Sequence, residues 1–133
     1  MIQSILLLSI AGLILNLAFS DHFIQPDWSL GLLLGSLLAH RGYWPWVFVG
    51  SALHDLVLHC SPFATLPWIM LAPVLMIWSD AQAGPSLVQR FIIMIFVTMS
   101  LWLWYWSPQA VLLTMMFTTV VWYFVAQKHA QPV

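Results

Sequence analysis

Apolar residues in this chain come in long runs separated by short polar breaks. The runs predict helices at about 4–20, 28–40, 46–60, 64–79, 89–106 and 109–126. A helix that crosses a bilayer needs about 20 apolar residues, with a range of roughly 17–25. Four runs reach that length once interfacial residues are counted, whereas 28–40 and 46–60 are short. Two arrangements follow: six spans, or four spans plus a hairpin that enters and returns. Either is an all-α, single-domain architecture, with no internal repeat, low-complexity tract or linker.

The basic residues favour six spans. Arg41, Arg90 and Lys128 all fall in even-numbered breaks or the tail, and the odd breaks contain no Lys or Arg. Positive residues collect on the cytoplasmic side, so both termini are expected in the cytoplasm. Composition agrees: 62% of the 133 residues are hydrophobic, 5% are charged and the mean hydropathy is +0.95. Soluble domains carry about 25% charged residues, so an integral membrane protein is expected. A net charge of −1 excludes a basic nucleic-acid footprint, and one cysteine, Cys60, excludes an internal disulfide or a multi-cysteine cluster. The first run lacks the basic n-region of a cleavable signal and is read as a retained helix.

Trp and Tyr cluster at the predicted helix ends, where their half-polar rings favour the membrane interface. Most prolines sit in breaks or at helix starts, but Pro73 lies inside 64–79 and predicts a kink. Gly31 and Gly35 have the spacing that permits close helix approach.

Asp55 is the residue most in need of explanation, because an ionisable group in a membrane-length apolar run is costly and normally partnered. His59, four residues on, shares its helical face, and His54 lies about 100° away. A metal site there would need further ligands, and His22, His40 and His129 all lie in other loops or ends. A proton relay would need more acids along a path, yet Asp21, Asp27 and Asp80 are all at interfaces. The favoured reading is that Asp55 cross-links or caps neighbouring helices. Asp27, between Pro26 and Trp28, reads as a helix N-cap, and Asp80 as a loop acid able to pair with Arg90. Bis-histidine haem would require facing histidines on two spans, and His54 and His59 share one. No nucleophile motif or pair of carboxylates at acid–base spacing is found. Neither catalysis, a metal nor a cofactor is expected.

The order Pro26-Asp27-Trp28, a leucine run from Leu30 to Leu38, His40-Arg41, Gly50, Asp55 and then Cys60-Ser61-Pro62-Phe63-Ala64 resembles the bacterial rod-shape-determining MreD family. The likeness covers about residues 4–80. It departs at Gln25, where the family carries a basic residue, at His59-Cys60 in place of small residues, and at Ala64 in place of Gly. The resemblance implies a six-helix inner-membrane protein similar in fold to the substrate-binding subunit of energy-coupling-factor transporters. It also implies a non-enzymatic scaffold of the cell-wall elongation machinery, binding an MreC-like protein and the peptidoglycan synthase complex. Under it, helices 28–40 and 46–60 form an inner hairpin. Asp27, Trp28, His40, Arg41, His54, Asp55 and His59 become its structural polar pins or partner contacts. Two alternatives of other classes stay open: an accessory subunit of a cofactor-bearing photosynthetic or respiratory complex, and a small-solute binding subunit of a transporter.

Overall fold

A computed structural model describes residues 1–130. They form six α-helices: α1 (Ile2–Ala18), α2 (Trp28–Ala39), α3 (Trp44–His59), α4 (Leu66–Ala83), α5 (Leu87–Met99) and α6 (Pro108–Ala130). A 3₁₀ turn over Arg41–Tyr43 leads into α3, and α5 tightens into a 3₁₀ segment over Ser100–Trp104. The chain is all-helical, with no strand among the described residues.

The helix ends differ from expectation by a few residues, for local reasons. α3 and α4 each accept a proline in the first turn, where its missing N–H was unpaired in any case, so α3 begins before Pro45. α4 continues past Asp80 and stops at Gly84, whose φ is +76°. α3 ends where Cys60 turns left-handed at φ 53°. Pro73, where a kink was expected, lies inside α4, which runs through it as one helix; the Ile69 carbonyl has no amide to receive four residues on.

α2 is the axis of the bundle. Leu30, Leu33, Leu34 and Leu37 are wholly buried, and the helix packs chiefly on α6 and α1. Gly35 makes the α6 contact possible, since a Cβ there would lie 2.8 Å from the Thr118 carbonyl. α3, by contrast, turns Trp46, Phe48, Val49, Leu53 and Leu56 outward. The expected inner hairpin is therefore corrected to a single inner helix. At 1.5 Å per residue, the twelve residues of α2 reach about 18 Å, short of the roughly 30 Å hydrocarbon core. A helix enclosed by its neighbours has no need to match it.

Successive helices run antiparallel: Trp68 of α4 meets Phe96 of α5, and Phe91 of α5 meets Trp122 of α6. One end of the bundle carries Arg41, Arg90 and Lys128, and the other carries the loops around 19–27, 60–65 and 105–107. Large apolar side chains cover the exterior, among them Leu7, Ile14, Ile92, Leu112 and Phe124. Two segments, Leu87–Trp104 and Pro108–Ala130, are long and apolar enough to cross a membrane by themselves.

Candidate functional site

The end of the bundle without Lys or Arg holds a buried cluster of carboxylates and histidines. It starts with the Pro26-Asp27-Trp28 turn. Asp27 Oδ1 accepts from the Leu30 amide at 3.0 Å, capping α2, and the Asp27 amide donates to Thr114 Oγ1 at 2.9 Å, tying that cap to α6. The second oxygen, Oδ2, lies 2.6 Å from His54 Nε2, and His54 Nδ1 lies 2.9 Å from Asp55 Oδ1. Asp27, His54 and Asp55 are all wholly buried. Each nitrogen of the His54 ring thus faces a carboxylate oxygen.

Asp55 caps a helix other than its own. Its Oδ2 accepts from the amides of Thr65 and Leu66, each at 2.8 Å, and Oδ1 accepts from the Thr65 hydroxyl. These are first-turn donors of α4, which has no side-chain cap within its own segment. Unpaired helix-start amides carry partial positive charge, so a carboxylate is the acceptor best suited to them. Asn16 anchors α1 to the same turn: its Nδ2 donates to the Pro26 carbonyl at 2.9 Å and its Oδ1 accepts from the Trp28 amide at 3.1 Å. Gln25 completes the loop, donating to the Asn16 carbonyl and accepting from Trp28 Nε1. Polar side chains thus join α1, α2, α3, α4 and α6 at one level.

His59 stands beside this cluster without joining it. Its Nδ1 is 3.9 Å from Asp55 Oδ1, beyond hydrogen-bond reach, and has no other partner. Trp106 Nε1 donates to His59 Nε2 at 3.2 Å, so the neutral ring carries its proton on Nδ1. His54, Asp55 and His59 do bring donor atoms within 4.8 Å of one another, close enough for a metal ion. The lone pairs are nevertheless committed. Both Asp55 oxygens already accept two bonds each, and the His59 tautomer points a hydrogen, not a lone pair, toward the centre. The arrangement suits a cross-link better than a metal centre.

The seven residues singled out from the sequence separate into two groups. Asp27, Trp28, His54, Asp55 and His59 lie together. His40 and Arg41 lie at the opposite end, where the His40 ring stacks on His129 at 4.7 Å. Tyr43 Oη there is 2.8 Å from His129 Nε2, and burial holds its pKa above the ordinary phenol value. Arg90 pairs with Asp80 at 2.7 Å through one nitrogen. Thr65, Thr114 and Gln25 belong to the cluster and were not foreseen. Thr65 carried a usable signal, since a threonine directly before Leu66-Pro67 is a helix-start pattern.

A cavity of about 590 Å³ opens above His59, between the 20–25 loop and the turn at Trp104–Trp106. Comparison with known protein families, curated proteins and solved structures gives no match.

Proposed function

We propose that this chain is a six-span bacterial inner-membrane protein with both termini cytoplasmic. In this reading it is a non-enzymatic scaffold subunit related to the MreD family, acting in cell-wall elongation by helix-mediated binding to an MreC-like protein and the peptidoglycan synthase complex. One observation carries the non-catalytic part: the buried Asp27–His54–Asp55 cluster spends its hydrogen-bonding capacity on helix ends and on itself. Such a cluster fixes the relative positions of helices, with both imidazole nitrogens of His54 held against carboxylates. The membrane part is supported by the apolar exterior and by the gathering of all three Lys and Arg at one end. The Pro26-Asp27-Trp28 turn and Asp55, which carry the family resemblance, are also the residues at the centre of the cluster.

The test is mild-detergent purification from the native host, reading co-purifying proteins and the absorption spectrum together, alongside depletion in the same host. A colourless sample carrying an MreC-like protein or a peptidoglycan synthase, with loss of rod shape on depletion, is the expected result. A coloured sample with redox or light-harvesting subunits, and normal cell shape on depletion, would overturn the proposal.

A further inference from the structure

The cavity above His59 is a site in its own right, separate from the cross-links beneath it. Its volume of about 590 Å³ falls within the roughly 300–1,000 Å³ of small-molecule pockets. What it offers a ligand follows from which of its polar groups are already used. The amides of Asn16 and Gln25 are bonded to each other's segments and to Pro26 and Trp28. The Ser20 hydroxyl donates to the Leu17 carbonyl, and the imidazole of His59 has one nitrogen held by Trp106 and the other buried. A ligand recognised by many neutral hydrogen bonds would find few of these groups free.

What remains is aromatic surface and negative charge. Phe23, Trp104 and Trp106 line the cavity, and the His59 ring lies 5.2 Å from that of Trp104. Asp21 stands at the rim, exposed and with no ion-pair partner among the described residues. His22 is beside it on the same rim. Below the floor lie the buried carboxyl groups of Asp27 and Asp55. No Lys or Arg lines the cavity, since all three are at the other end of the bundle. Aromatic faces attract cations through their quadrupole, and a nearby carboxylate reinforces the same preference.

We infer that the cavity binds a small organic cation, a primary or quaternary ammonium group, held between Trp104, Trp106 and Phe23 with Asp21 as its counter-ion. The group could arrive on a free solute or as the headgroup of a zwitterionic lipid, and both present the same chemistry.

The full chain, purified in a maltoside detergent, is titrated with choline and with 3,3-dimethyl-1-butanol, its uncharged isostere, following tryptophan fluorescence. Saturable binding of choline without binding of the alcohol is expected. Asp21→Asn should weaken choline by roughly two- to fivefold, with the unfolding midpoint unchanged because Asp21 is exposed, and Trp104→Leu should weaken it by a similar factor. Equal binding of the two probes, no binding of choline, or full affinity in Asp21→Asn would each overturn the inference. Nanodiscs separate the two sources. If phosphatidylethanolamine bilayers suppress the choline titration and phosphatidylglycerol bilayers leave it intact, the occupant is a lipid headgroup. If the titration survives in both, the occupant is a free solute.

Discussion

Replacing Asp55 with alanine removes the acceptor for four donors at once. The amides of Thr65 and Leu66, the Thr65 hydroxyl and His54 Nδ1 would all lose their partner in a place wholly closed to water. A buried donor left unsatisfied costs about 1–3 kcal/mol, and breaking a buried ion pair by removing one partner costs about 3–5 kcal/mol. These figures overlap, since His54 appears in both, and Thr65 and Leu66 share one oxygen. A net loss of about 5 kcal/mol is expected, against a total stability of about 5–15 kcal/mol for a typical domain. Asp55→Asn is a milder change. Its carbonyl oxygen still caps α4, while its amide faces a His54 that can release the Nδ1 proton and go on donating to Asp27; about 1–2 kcal/mol is expected. The assay is reversible unfolding in mixed micelles, followed by far-UV dichroism for wild type and both variants. The ranking should be wild type, then Asn, then Ala, with the larger step to Ala. An Ala variant within about 1 kcal/mol of wild type, below the cost of one orphaned donor, would refute the claim that Asp55 holds α3 to α4.

Two further outcomes follow from the geometry. Gly35→Val should push α6 off α2, because even the first added carbon meets the Thr118 carbonyl at 2.8 Å. A loss of about 1–3 kcal/mol by the same unfolding assay is expected, and an unchanged midpoint would contradict the close α2–α6 approach. The exposed Cys60 lies at the end of the bundle opposite Arg41 and Lys128. A membrane-impermeant maleimide should label it from outside spheroplasts and should reach a cysteine placed at Gln127 only after lysis; the reverse pattern would invert the proposed topology.

The number and order of helices were legible because apolar runs bounded by proline and polar breaks leave few alternatives. Burial was not. The leucine run of α2 and the mixed aliphatic and aromatic run of α3 read alike as apolar helices, yet one is enclosed and the other buries one face and turns the rest outward. The difference lies in Gly31 and Gly35, which admit α6 to α2, and in which neighbours each helix meets. At the cluster, the Asp27 cap was legible from Pro26-Asp27-Trp28, and the need for a partner was legible from Asp55 itself. The identity of that partner was not. Helical spacing pointed from Asp55 to His59, four residues on, but Trp106 takes His59 and His54 turns to the carboxylates. Thr114 gave little warning because threonine in an apolar run usually bonds its own helix, as Thr114 itself and Thr118 do.

The carboxylate that caps α4 is synthesised ten residues before the amides it serves. α4 can close its first turn on the Thr65 carbonyl, but its Thr65 and Leu66 amides have no side-chain acceptor until α3 presents Asp55. Capping of α4 therefore depends on its docking against α3, and the segment 60–65 is the tether that brings the two together. Lengthening or cutting that segment would raise the entropic cost of bringing Asp55 to those amides.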